Sequence, residues 1–254
     1  MSDALLPAGF RDRLPPYADA AARFEATVLG VAHSYGYERV DPPLAEFEDA
    51  LARRLGGDGT RAAVRFVDPA SGRTLAIRPD ITAQIGRIAA TRMAANPRPV
   101  RLSYAGPVLR LGAAALDPAR ERRQVGCELI GRDSVAAARE IVGVAVAALA
   151  AAGVSGVSVD FTLPDLVDTL AGGPLPTDRV AELRALLDAK DAGGVAALAP
   201  EYLPLIEAAG PFDAALSRLR AFDRDGTLAS RLDGLAAIAD GLDARLTLDP
   251  TERH

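Results

Sequence analysis

Three short stretches hold the side chains whose chemistry bears on function: IRPDITAQIGR at 77–87, LSYAGPVLR at 102–110 and RRQVGCELIG at 122–131. In each, a charged or amide side chain sits among apolar neighbours. Side chains alternate faces along a strand. Residues 124–129 therefore place Val125, Cys127 and Leu129 on one side, a core face, and Gln124, Gly126 and Glu128 on the other. An amide, a gap and a carboxylate pack poorly and suit the floor of a polar pocket, although an edge strand with one wet face fits them too. In 102–110, Tyr104, Gly106, Val108 and Arg110 share a face, and Arg110 is either a solvated strand end or a ligand contact. In 77–87 a strand ends at Arg78-Pro79-Asp80 and passes into a helix, where Asp80 either caps the helix amides or faces a ligand. Together the stretches offer one arginine, two carboxylates and an amide, the charges an amino-acid zwitterion needs. A guanidinium fork matches a ligand carboxylate, and a protein carboxylate takes the ammonium. Two or three such bonds, at roughly 1.5–3 kcal/mol each, would hold a small ligand at about micromolar to millimolar strength.

Composition removes several other chemistries. One cysteine excludes an internal disulfide and a paired-thiolate metal site. Two histidines, His33 and His254, leave almost no material for a Ser/His/Asp site or a His-rich metal centre. A net charge of −5 and a pI near 5.2 argue against a nucleic-acid binder, whose surface is usually basic. The start, MSDALLPAGF, lacks a secretory n-region and h-region. The apolar run IVGVAVAALAAAGV at 141–154 is too short to span a bilayer, so a cytoplasmic protein is expected.

The elements that must position these side chains follow from periodicity. Tyr17, Ala21, Phe24, Val28, Ala32 and Tyr35 describe one face of a helix, read as core packing in preference to an interface, with Gly36 at its stop. YERVDPP is a short strand, 44–55 a helix, and GGDG a loop. VRFVDPASGRTLAIRPD forms a hairpin about DPASGR. A helix over about 80–95 turns Ile81, Ile85 and Ile88 inward, and strands follow up to Arg110 and over 124–130. A helix at 134–152 leads to a strand bearing Val157, Val159 and Phe161. From 164 to about 240 the chain reads as short Ala- and Leu-rich helices without a convincing strand, and DARLTLDP reads as a strand returning to the sheet. That order predicts an α+β fold, an antiparallel sheet flanked by helices. Its expected parts are a core over 1–163, a helical insertion over 164–240 and a return strand within 241–254.

YAGPVLR, followed fourteen residues after Arg110 by QVGCELIG, resembles the second class-defining motif of class II aminoacyl-tRNA synthetases in its histidyl form. LPAGFRDRLPP, SYGYERVDPP and IRPDITAQ follow the same family's order from residue 5 onward. The resemblance implies that Asp80 and Thr82 contact an amino-acid ammonium, that Arg110 holds its carboxylate, and that Gln124 and Glu128 line a histidine pocket. It also implies a dimer formed through the first motif, here around 37–47.

The chain departs from the enzyme where nucleotide chemistry is done. The synthetase arginine is followed at the second position by an acidic residue, and here the sequence runs Arg110-Leu111-Gly112. The next loop, GAAALDPARERR, opens with small apolar residues, and its Arg120, Arg122 and Arg123 read as solvated charges. No Gly-x-Gly-x-x-Arg motif, histidine-specific Gly-Leu-Asp-Tyr-Tyr stretch or anticodon-binding domain is recognisable. The groups that would stabilise charge on a transferring phosphate are missing. A synthetase-like core of this kind, with IRPDITAQIGRI in place of the enzyme's version, resembles the ATP phosphoribosyltransferase regulatory subunit family. Members of that family continue past this end point, so the resemblance implies a shortened chain. It implies a non-catalytic protein without cofactor or metal, partnered with a short-form ATP phosphoribosyltransferase catalytic subunit and as a homodimer within a hetero-oligomer. L-histidine would be its ligand, and neither tRNA nor membrane is expected to bind. A histidine-activating or aminoacylating enzyme, and an interaction module with a vestigial pocket, are the alternatives.

Overall fold

The computed structural model describes residues 6–111, 118–171 and 179–252. It is α+β, and its contacts divide the chain into two units: 1–133 with 147–153, and 134–146 with 154–254.

The first unit is built on a three-stranded sheet of order β1-β5-β6. The long strands β5 (Val100–Leu109) and β6 (Glu121–Ile130) form an antiparallel ribbon ten residues deep, and β1 (Glu38–Arg39) joins β5 in parallel. The register pairs Tyr104 with Gly126, Gly106 with Gln124 and Leu102 with Glu128. Paired residues share a face, so the polar face of β6 and the Tyr104 face of β5 are one surface.

On that surface lies α3 (Thr82–Ala90), whose Ile85, with the preceding Ile81, is fully buried against Val100, Leu102, Tyr104 and Val108. The helix is shorter than the expected 80–95. The opposite face carries α1 (Tyr17–Ser34), which runs along β5 and β6 and pairs Glu25 with Arg123.

A second small sheet, β2-β4-β3, consists of β2 (Ala45–Phe47), β3 (Val64–Val67) and β4 (Thr74–Ile77), all antiparallel. The hairpin between β3 and β4 closes as expected, with Asp68 accepting from the amides of Ala70 and Ser71. Those bonds, that from the Ser71 hydroxyl first, hold the Asp68 carboxyl below the usual carboxylate range.

Three local expectations need correction. The GGDG stretch lies inside α2 (Glu48–Ala62), not in a loop. Leu51 near one end of α2 shares a buried cluster with Ala63 just past the other and with Ala76 of β4, and this anchoring overrides the low helix propensity of glycine. Of the expected inner face of α1 only Ala32 is buried, while Tyr17, Phe24 and Tyr35 stand exposed. Val125, Cys127 and Leu129 are only half-buried, since β6 borders β5 on one side and no other described strand on the other.

Helix α4 (Val135–Ala151) contributes residues to both units. In the second unit β7 (Ser158–Thr162) precedes α5 (Leu166–Ala171), α6 (Val180–Asp188), α7 (Ala192–Leu198) and α8 (Leu203–Glu207). A two-residue strand β8 (Gly210–Pro211) then leads to α9 (Phe212–Phe222), α10 (Ala229–Ala239) and β9 (Arg245–Asp249). The strand expected to return to the core sheet forms as β9, but it joins β7 in parallel and β8 in antiparallel fashion, in a sheet separate from β1-β5-β6. The core of this unit is mainly aliphatic, with Leu183, Val195, Leu205, Leu219 and Leu248 fully buried together beside Phe161, Tyr202 and Phe212. Among the described residues no helix is long and apolar enough to cross a membrane, and no cluster of potential metal ligands occurs.

Candidate functional site

The N-terminus of α3 points its free amides at the polar face of β6, and two side chains take them. Asp80 Oδ1 accepts from Thr82 N at 2.7 Å, and Gln124 Oε1 accepts from Ile81 N at 2.9 Å. Asp80 therefore makes the local bond of a helix start and still presents its other oxygen. That oxygen, Oδ2, lies 3.4 Å from Gln124 Nε2 and 3.8 Å from an Arg110 terminal nitrogen. Arg110 follows β5 directly and donates through Nε to the Pro79 carbonyl at 3.0 Å. With Arg110 about half exposed, its loose contact with Asp80 is worth no more than about 1 kcal/mol. A ligand carboxylate can take that guanidinium at little cost.

The remaining members are joined through a residue that sequence reading placed on the face but did not single out. Tyr104 is buried, and its hydroxyl lies 3.0 Å from Thr82 Oγ1 and 3.2 Å from Glu128 Oε1. A phenol has one proton and Glu128 accepts it, so the Thr82 hydroxyl donates to the Tyr104 oxygen. Burial first, and the Glu128 charge after it, push the Tyr104 hydroxyl well above the ordinary tyrosine range, so it stays a neutral donor. Gly126 makes this possible. A Cβ there would stand 2.7 Å from the Tyr104 oxygen and 2.9 Å from its ring. The gap in the polar face of β6 is the seat of a tyrosine from the neighbouring strand. The signal was present in the sequence as Tyr104 and Gly126, but only the register reveals it.

Asp80, Thr82, Gln124 and Glu128 are thus brought into one hydrogen-bonded network, which Arg110 joins through its loose ion contact with Asp80. Asp80, Thr82 and Arg110 also line an open cleft of about 810 Å³, together with Arg54, Leu55, Pro79, Ala83 and Gly86. Gln124 and Glu128 do not line that cleft, and they support its floor through Ile81, Asp80 and Tyr104. Gly112, the residue on which the departure from Arg-x-Glu turns, lies outside the described residues, as does the loop to 117. Asp80 beside Arg110 at a helix N-terminus suits a small ligand carrying both an ammonium and a carboxylate, with Arg54 a second cation on the cleft wall.

The family model described as histidyl-tRNA synthetase matches residues 9–254. An ATP phosphoribosyltransferase regulatory subunit of Paramagnetospirillum magneticum is 43% identical, over 99% of this chain and 69% of its own length. That of Rhodospirillum centenum is 43% identical over 100% and 68%. This chain belongs to the ATP phosphoribosyltransferase regulatory subunit family. A solved histidine–tRNA ligase subunit from Alicyclobacillus acidocaldarius is 25% identical with a TM-score of 0.67, covering 98% of this chain and 80% of that one. A regulatory subunit/histidyl-tRNA synthetase from Bacillus halodurans has a TM-score of 0.81 at 23% identity, covering 100% of this chain and 69% of that one, and shows the fold alone. The synthetase-like α+β fold of this regulatory-subunit family is therefore established for the chain.

Proposed function

We propose that this chain is a non-catalytic regulatory subunit that binds L-histidine in the Asp80–Arg110 cleft. Through it the short-form catalytic subunit of ATP phosphoribosyltransferase is activated and made sensitive to histidine, the end product of the pathway it opens. Asp80 and Thr82 take the ligand ammonium and Arg110 its carboxylate, while Gln124 and Glu128, expected to line the pocket, hold its floor in place through Ile81, Asp80 and Tyr104. The observation that carries this reading is the convergence of all five on one network at the start of α3, in a chain of the regulatory-subunit family. The exposed aromatic residues of α1 and the motif around 37–47 support a homodimer within a hetero-oligomer. The chain acts in the cytoplasm and charges no tRNA.

The test is reconstitution. Purified chain is mixed with a short-form catalytic subunit, and ATP phosphoribosyltransferase turnover is followed with and without histidine. Stimulation on mixing, reversed by histidine, is expected. Failure to stimulate or to co-purify contradicts the partnership, and histidine-dependent exchange of pyrophosphate into ATP by the chain alone would support the enzyme alternative instead.

A further inference from the structure

Asp80 is held in place by a residue that never reaches the cleft. Arg78 is 4% exposed and lies two positions before Asp80. Its guanidinium donates through Nε to the Pro107 carbonyl at 2.8 Å, and through one terminal nitrogen to the Pro42 carbonyl at 2.8 Å and to Gln84 Oε1 at 3.2 Å. Those three acceptors belong to β5, to the segment before β2, and to α3. Gln84, 1% exposed, continues the network to the Pro43 carbonyl at 2.8 Å and to Glu46 Oε1 at 2.9 Å. Glu46 is held in turn by a two-pronged pair with Arg87. The backbone of Arg78 is fixed on both sides as well, its amide bound to Leu44 O and its carbonyl taken by Leu109 N, each at 3.0 Å.

The space for this guanidinium is made by a glycine. A Cβ on Gly106 would overlap the second terminal nitrogen of Arg78 outright. Gly106 stands directly opposite Gln124, the residue that takes the Ile81 amide. The buried arginine and the site therefore share the same pair of strands and the same face of them.

We infer that Arg78, seated in the gap at Gly106, is the positioning residue of the site: it fixes the Arg78-Pro79-Asp80 turn so that Asp80 and the first amides of α3 face the cleft together. A planar guanidinium reaches three acceptors in different directions at once, which a lysine ammonium on a flexible stem does not reproduce. Because the ligand is the one proposed above, the inference rests on that reading for its effect on affinity but not for its effect on the turn.

Two variants test it by independent routes: Arg78→Lys keeps the charge and loses the fork, and Gly106→Ala keeps the arginine and displaces it. Amide hydrogen exchange at Ile81 and Thr82, whose bonds to Gln124 and Asp80 report the turn, is compared with exchange at Leu102 in the sheet. L-histidine affinity of the folded protein is measured alongside. Both variants are expected to speed exchange at Ile81 and Thr82 at least about tenfold relative to Leu102, and to weaken histidine about tenfold. Gly106→Ala should add little once Arg78 is alanine, because the overlap is gone. Unchanged exchange at the two amides in either folded variant, or a rise only in step with Leu102, would overturn the inference. If the unmodified protein takes no histidine, the proposed ligand fails while the exchange ratio still decides the role of Arg78. Should Arg78→Lys not fold, Gly106→Ala carries the test alone.

Discussion

Tyr104 lies over Gly126, its cross-strand partner, and its hydroxyl bridges Thr82 Oγ1 at 3.0 Å and Glu128 Oε1 at 3.2 Å. One phenol thus ties the start of α3 to the far strand of the sheet. The bridge exists because residue 126 has no side chain, which makes the glycine as much a part of the site as the residues it lies between.

Gly126→Ala is expected to cost about 1–3 kcal/mol, the range for forcing an extra methyl into packed space. Part of that cost should vanish in a Tyr104→Phe background, where the nearest overlapping atom, the hydroxyl oxygen, is gone and the ring carbon at 2.9 Å remains. Urea denaturation of the two single variants and the double variant gives the coupling. Strict additivity would mean that Gly126 does not seat the ring.

The raised Tyr104 pKa has a consequence for alkaline stability. Below about pH 10, the ordinary tyrosine value, the phenol is neutral folded and unfolded, and its stabilising bonds are fully present. Above it the unfolded chain loses the proton first, so unfolding is favoured increasingly as pH rises towards the folded-state value. Denaturation at pH 9, 10 and 11 should show stability falling faster in the unmodified protein than in Tyr104→Phe. The same slope in both would place the phenol in an ordinary environment.

Asp80→Asn separates the two jobs of this side chain. The amide oxygen still accepts from Thr82 N, so thermal stability should change by less than about 1 kcal/mol, whereas losing the charge opposite an ammonium should weaken histidine about 10–100-fold. Asp80→Ala removes both roles, and the start of α3 should then lose stability as well, by about 0.5–2 kcal/mol. Calorimetric titration and thermal denaturation of the pair check this, and equal affinities for Asp80→Asn and the unmodified protein would remove Asp80 from the site.

The polar face of β6 was legible in the sequence because alternation fixes which residues of one strand share a face, whereas its meeting with Arg110 followed only from the family resemblance and the strand register. The helix after Asp80 was legible through Ile81 and Ile85. Arg78 and Gln84 were not, since their partners are the backbone carbonyls of Pro42, Pro43 and Pro107, which carry no sequence signal. Tyr104 was visible only as one apolar residue among several. The exposed aromatics of α1 misled for a related reason: a helical stripe shows that a face exists but not which of its residues become buried, and of this stripe Ala32 did while Tyr17 and Phe24 did not. GGDG misled through local propensity, which the buried contacts at the two ends of α2 outweigh.

The most direct measurement is calorimetric titration of the chain with L-histidine, histamine and imidazole-lactate. Histamine lacks the carboxylate for Arg110, and imidazole-lactate lacks the ammonium for Asp80 and Thr82. Binding of histidine at micromolar to millimolar strength, with each analogue about tenfold or more weaker, is the predicted result. Histidine without detectable binding, or histamine as tight as histidine, would contradict the assignment of the Asp80–Arg110 cleft as an amino-acid site.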